Sequence, residues 1–347
     1  MKLKNKYIIG THVMFYEIDM LDDLVQSILN ASESVENKQN ITIDFLFNMS
    51  EYFEKIDNEQ IEKDKLEVKF FDYLTRLRNF GFKIQFEIYT DDKPLTMVDY
   101  RRDLNYNNCK KYDYIIWGES DAMVPKELFQ SLEIIRDHAN ENNIHRYITT
   151  FAVRKMWDAS WKLLEHPEFT DKPYYETKHP DGSRNNKAFE EPHSIRYTMS
   201  IDEMNAVNSK TDHLDIRVLN KPQFDGSILC ISSDLIKNGV NIPHCIFGHL
   251  VDDTSMMYSC QQIMGDAYVQ FVVKNILKVH NRMHPKKRLY ALDMDRSRKL
   301  TDVDNSGKGE WFHRMKELVH HNLNNFGSSQ ARFNTYKDFE KIMENNK

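Results

Sequence analysis

The feature that most constrains this chain is an alternation. Between residues 7 and 153, short apolar runs and segments of helical periodicity take turns. Tyr7 to Gly10 predicts a short buried strand. Leu21 to Asn30 predicts a helix, with Leu21, Leu24, Val25, Ile28 and Leu29 at helical spacing. Ile41 to Phe47 predicts a second strand, Lys65 to Asn79 a helix, and Phe82 to Tyr89 a third strand. Asp99 to Cys109 follows as a polar helix, then Tyr112 to Trp117 as a buried strand. Lys126 to Ala139 predicts a helix opened by Pro125, and Tyr147 to Val153 another strand. Such alternation implies an α/β fold around a mostly parallel sheet flanked by helices. Ligands of such sheets bind at the carboxyl ends of the strands, which directs attention to the residues just after each one.

The rhythm then breaks. Residues 155–210 are polar and aromatic-rich, with Trp157, Trp161, Tyr174, Tyr175, His179, His193 and Tyr197. A long stretch of this kind inside a regular fold predicts a functional insertion or lid. Regularity returns with a strand at Ser227 to Ile231, a helix at Thr254 to Met264 and a strand at Tyr268 to Val279. From Asp302 the chain reads as a helical tail, with one helix near Trp311 to Leu323.

The chain has 347 residues, enough for one large domain or two small ones. Its net charge of -6 argues against a protein that is basic throughout, as nucleic-acid binders usually are somewhere. One local surplus exists: Arg282, Lys286, Lys287 and Arg288, then Arg296, Arg298 and Lys299. It reads either as a solvated basic face or as a phosphate-binding patch. The four cysteines, Cys109, Cys230, Cys245 and Cys260, include no C-x-x-C pair, so reduced thiols are expected rather than a zinc site or a disulfide framework. No signal peptide and no apolar run near the ~20 residues of a membrane span are visible, so a cytoplasmic location is expected, the host cytoplasm if the protein is viral.

The strongest chemical signal is Tyr112-Asp113-Tyr114-Ile115-Ile116-Trp117-Gly118-Glu119-Ser120-Asp121. An apolar strand ends in two carboxylates one residue apart. On an extended chain, side chains at i and i+2 point the same way. Two such oxygens suit Mg²⁺ or Mn²⁺, with a nucleotide diphosphate filling the remaining positions. The plainer reading is an acidic turn in which Asp121 favours the start of the next helix.

This stretch resembles the D-x-D segment of nucleotide-sugar glycosyltransferases of the GT-A type, close to family two, with Glu119 in the first acidic place. Asp99-Tyr100-Arg101-Arg102-Asp103-Leu104-Asn105, then Asn107 to Tyr114, resembles the family's A-R-N-x-G…G-D-Y-I helix and strand. Gly226 to Ser233 resembles the acceptor-side strand, and Gly248-His249-Leu250-Val251-Asp252-Asp253-Thr254 the G-x-E-D-T/D motif before a helix. The similarity covers roughly residues 5 to 290.

The resemblance implies a GT-A, Rossmann-like catalytic domain over 1–300. Residues 5–125 would form its nucleotide-sugar half, 155–210 an insertion or lid, and 211–290 its acceptor and metal half. Residues 301–347 would be a helical tail. It further implies Mn²⁺ or Mg²⁺ held by Glu119, Asp121 and His280, with Ser120 at the diphosphate. Thr11, His12, Asn48, Thr90, Asp91 and Asp92 would contact base and ribose of a uridine donor, and Arg102 would lie near the nucleotide. His284, Lys286 and Lys287 would meet the diphosphate leaving group. Asp253, or else Asp252, would be the base of an inverting transfer, because an acceptor hydroxyl must lose its proton as it attacks. Trp157 and Trp161 are acceptor-stacking candidates, or core residues at i, i+4 spacing. The acceptor would be a glycan or small molecule, or a hydroxymethylated base in viral DNA.

Other signals fail on spacing. Asp302-x-Asp304-x-Ser306-Gly307 opens like a calcium loop, but His313 stands where a bidentate Glu belongs. Gly307-Lys308-Gly309 lacks the upstream glycine of a phosphate loop. His244, His249, Asp252 and Asp253 would make a hydrolytic metal cluster only with different spacing. A sugar nucleotidyltransferase would need a glycine-rich loop where Val13-Met14-Phe15 stands. A non-catalytic nucleotide-binding module is the remaining alternative.

Overall fold

In the computed structural model the described residues are 1–57, 62–154, 199–220, 222–281, 307–325 and 341. Nine strands make one sheet: β1 Tyr7–Met14, β2 Ile41–Asn48, β3 Lys83–Tyr89, β4 Tyr114–Trp117, β5 Ala122–Met123, β6 Tyr147–Arg154, β7 Ile216–Val218, β8 Leu229–Ser232 and β9 Val269–His280. Their order is β3-β2-β1-β4-β8-β6-β9-β5, with β7 also paired to β9. Strands β1, β2, β3 and β4 pair in parallel, as do β6 and β9. Strand β8 runs antiparallel between β4 and β6, and β5 and β7 run antiparallel to β9. The long ladders are thus the parallel ones.

The helices are α1 Leu21–Ala31, α2 Glu51–Asp57, α3 Lys63–Phe80, α4 Met97–Asn108, α5 Leu128–Glu141, α6 Ile201–Asn208, α7 Ser233–Lys237, α8 Asp252–Met264 and α9 Gly307–Asn324. Their ends follow local chemistry. Thr96 and Asp99 form a capping box that starts α4, and Ser200 and Glu203 form one that starts α6. Gly81, at φ 109°, ends α3 in the left-handed conformation that glycine adopts freely.

The central strands are apolar on both faces because helices and loops cover both faces. Tyr7, Ile8, Ile9, Ile43, Phe45, Phe47 and Tyr114 to Trp117 are all buried. The edge strand β3 exposes Lys83, Gln85 and Glu87, charged and polar residues that discourage pairing with another chain.

Four departures from the sequence expectation matter for the site. First, β1 runs on to Met14, since β2 supplies a ladder as far as Asn48. Thr11 and His12 therefore lie within the strand, not after it. Second, β5, two residues long, was not expected, and it ties the chain after Asp121 to the end of β9. Third, the expected insertion 155–210 ends in the packed helix α6. Met204 and Val207 of α6 pack with Met123, Leu277 and Val279, and the Asn208 amide bonds both the N–H and the carbonyl of Leu277. Fourth, α9 starts at Gly307, ahead of the expected helix near Trp311 to Leu323, and joins the main core through Met315, Val319 and Leu323.

Candidate metal and nucleotide site

The carboxyl end of β4 carries the site. After Trp117 the chain leaves the strand through Gly118, whose N–H bonds the Gly10 carbonyl at 2.7 Å. A Cβ at Gly118 would fall 2.1 Å from Thr11 Oγ1, so only glycine lets the two segments approach this closely. Residues 119–122 then form a turn closed by Ala122 N–H donating to the Glu119 carbonyl at 3.1 Å. The two acidic side chains are thus brought together by a turn and not by alternation along an extended strand.

Strand β5 completes the arrangement. Ala122 pairs with His280, and the N–H of Asn281 bonds the Asp121 carbonyl at 2.8 Å. His280 Nε2 lies 2.8 Å from Glu119 Oε2 and 3.5 Å from Asp121 Oδ1. Glu119, Asp121 and His280 each offer a ligand atom, and these atoms lie within 4.8 Å of one another. Among the described residues they are the one group of three that can converge on an ion. The residues fit such an ion: two oxygens and one imidazole nitrogen are a suitable donor set for a divalent metal such as Mn²⁺. His244, His249, Asp252 and Asp253 make no such group.

The electrostatics are those of a charged, buried cluster. Burial works to raise the Glu119 pKa, but His280 and then Arg101 outweigh it and hold the carboxyl down at about 2. Burial works to lower the His280 pKa, but Glu119 and Asp121 prevail and raise it. The Nδ1 atom of His280 is buried with no hydrogen-bond partner among the described residues, as is Thr11 Oγ1.

Arg101 is the residue that sequence reasoning missed. It is 1% exposed, and its guanidinium lies 4.8 Å from the Trp117 ring centroid. Nη2 donates to Glu119 Oε1 at 3.0 Å, to the Gly226 carbonyl at 2.9 Å and to the Gly118 carbonyl at 3.3 Å. Nη1 pairs with Asp252 Oδ2. The neighbouring Arg102, expected near the nucleotide, instead donates to the carbonyls of Ile242 and Pro243 at 3.0 and 3.1 Å, to the Ile246 carbonyl, and to Asp99 at 2.9 Å. It pins the 242–246 loop. Both arginines are buried, at i+3 and i+4 from Val98, so the helical register does not separate them.

The loop 225–228 is held from three directions. The N–H of Gly226 donates to Asp253 Oδ2 at 3.1 Å, and its carbonyl accepts from Arg101. A Cβ at Gly226 would lie 3.0 Å from Arg101 Nη1 and 3.3 Å from Glu119 Oε1, a tight contact that would press the cluster by a few tenths of an ångström. From β9, the fully buried Lys278 pairs with Asp225 at 3.2 Å and donates to the Ser227 carbonyl. Burial pushes the nearby Cys230 thiol up to about 12, with Lys278 acting the other way. Ile228 and Val251 both sit at φ 53°, a conformation that costs a β-branched residue about 1–3 kcal/mol. Asp253 Oδ1 also accepts from the N–H and hydroxyl of Thr254, at 2.6 and 3.2 Å.

Of the residues expected at the base and ribose, Asn48 lies against His12. Asn48 Nδ2 lies 3.1 Å from His12 Nε2 and donates to the Leu95 carbonyl at 2.7 Å. The rings of His12 and His249 are 5.8 Å apart, and Phe53 lies 5.9 Å from His249. Ser50 links this group to the Asp91 carbonyl at 2.8 Å. The side chains of Thr90, Asp91 and Asp92 are exposed, and Ser120 is buried. Burial, then His249 and Arg101, hold His12 well below the usual histidine pKa. Trp157, Trp161, His284, Lys286 and Lys287, and the basic run from Arg282 to Lys299, lie outside the described residues. No helix among the described residues is long and apolar enough to cross a membrane.

Neither a protein-family model nor a curated protein matches the chain. Solved structures do. The chain is similar to S. aureus TarS at 9% identity, over 94% of this chain and 75% of that one, with a TM-score of 0.42. It is also similar to M. tuberculosis glucosyl-3-phosphoglycerate synthase at 10% identity, over 92% and 80% of the two chains, with a TM-score of 0.38. The complex of that synthase with phosphoglyceric acid matches at 12% identity, over 92% and 79%, with a TM-score of 0.40. All three TM-scores fall below 0.5, so the functional reading stands on the geometry of Glu119, Asp121, His280 and Arg101 alone.

Proposed function

We propose that the chain is a metal-dependent glycosyltransferase that moves a sugar from a nucleoside-diphosphate donor to an acceptor hydroxyl. The observation that carries this reading is the convergence of Glu119, Asp121 and His280 within 4.8 Å at the carboxyl end of β4. Those three side chains would hold a divalent ion. Such an ion, when bound, offsets the charge on a departing diphosphate.

The rest of the site suits that task. His12, within β1, and Asn48, the last residue of β2, are the proposed contacts to base and ribose. Held neutral, His12 offers a hydrogen bond without adding charge. Asp253 is the proposed base, taking the acceptor's proton at Oδ2 as the hydroxyl attacks the anomeric carbon, with inversion. Asp252 is less suited to that role, because its carboxylate is already paired with Arg101. His284, Lys286 and Lys287 are proposed to meet the diphosphate, and Trp157 and Trp161 the acceptor. A uridine donor, and a glycan, small-molecule or hydroxymethylated-DNA acceptor, belong to the same proposal. A DNA acceptor requires duplex binding that weakens steeply with salt.

Thermal stability against a panel of nucleotide sugars, with and without Mn²⁺, tests the reading. Stabilisation by one nucleotide that needs both Mn²⁺ and Asp121, and vanishes in Asp121→Ala, is the expected result. No shift with any nucleotide at saturation would sink it.

A further inference from the structure

We propose that Arg101 is a positioning residue that couples the metal half of the site to its acceptor half, with Asp252 as its counter-ion. The inference rests on the metal reading of Glu119, Asp121 and His280.

One guanidinium reaches both halves. On the metal side it bonds Glu119 at 3.0 Å and the Gly118 carbonyl at the start of the acidic turn. On the acceptor side it pairs with Asp252 and bonds the Gly226 carbonyl at 2.9 Å. The same Gly226 residue donates its N–H to Asp253 at 3.1 Å. Glu119 and Asp253 are thereby linked through one side chain and one glycine. The fork geometry matters. A guanidinium presents several donors in a rigid plane and stays charged when buried, which an ammonium on a flexible stem does not reproduce. Stacking on Trp117 fixes that plane. The carboxylate of Asp252 balances the charge, so the positive field felt by an ion on Glu119 depends on that pairing. Groups that orient metal ligands in this way commonly change affinity by about 10–100-fold when removed.

The test is a double-mutant cycle read by Mn²⁺ affinity, from the loss of the free-ion electron paramagnetic resonance signal. Asp252 is not a ligand, yet Asp252→Asn is expected to weaken Mn²⁺ binding about tenfold, because it leaves the Arg101 charge unbalanced beside Glu119. In an Arg101→Gln background the same substitution is expected to change affinity less than about twofold. If Arg101→Gln fails to fold by circular dichroism, the cycle is read with Arg101→Met, which likewise removes the charge while keeping the bulk of the side chain. There too, Asp252→Asn should lose most of its effect. An equal effect of Asp252→Asn in the wild-type and Arg101 backgrounds would show the two acting independently and overturn the proposal. So would no effect in either. Failure of the wild-type chain to bind Mn²⁺ at all would overturn the metal reading itself and this inference with it, which separates the two failures.

Discussion

Arg101 and Asp252 stand 151 positions apart and form a buried ion pair. The pair joins α4, which follows the third strand, to the first residue of α8, which follows the eighth. It leaves Asp253, one residue on, as the carboxylate turned toward Gly226.

Turnover should therefore separate the two aspartates. Asp253→Asn keeps an oxygen for the Gly226 N–H but cannot take a proton. We expect it to lower kcat by about 10²–10⁴-fold with Mn²⁺ affinity kept. Steady-state kinetics beside metal titration check this. A fully active Asp253→Asn would remove Asp253 from the mechanism.

Gly118 should tolerate no side chain. Gly118→Ala places a methyl 2.1 Å from Thr11 Oγ1, on a backbone already bonded to Gly10. Overpacking of this kind costs about 1–3 kcal/mol. A fall in Tm, with weaker Mn²⁺ binding because the acidic turn starts here, is the expected outcome. An unchanged Tm would mean that β1 and β4 can part locally.

Acid should act through His12. Its folded pKa is depressed below the ordinary value near 6.5, so its contribution to stability is complete above that value. As pH falls below it, the unfolded chain gains a proton that the folded chain resists, and the contribution is lost. Asp44 has the opposite sign. Burial raises it to about 6, against the hydrogen bond from Tyr100, so its contribution is lost as pH rises through that value. Melting curves from pH 7 to pH 5 should fall less steeply for His12→Gln than for wild type. Parallel curves would count against a neutral, buried His12.

Helix α9 should matter to the site. Met315 is fully buried, and it fills the space a side chain at Gly248 would need. Asn322 bonds the Cys245 carbonyl at 2.7 Å in the same loop. That loop leads directly to Asp252. Met315→Ala is expected to cost about 2–5 kcal/mol, read by denaturant unfolding. A cost near zero would mean that α9 merely rests on the core.

The order of strands and helices was legible in the residues because period and composition are local. Ile41 to Phe47 is apolar enough to be buried on both faces, and Leu21, Leu24, Val25 and Ile28, read at helical spacing, are all buried. The Glu119-Ser120-Asp121 segment was legible for the same reason, as two acids after an apolar strand. The turn that unites them was not, since it depends on a two-residue strand that exists only because β9 lies alongside. Choosing Arg101 over Arg102 was a matter of which one the 225–228 loop and α8 would meet. Neither loop nor helix is near α4 in sequence. What the chain alone determined were the elements and the acids at their ends. What the tertiary structure decided was which charges face one another, because a buried charge must find its partner wherever the fold brings one within reach.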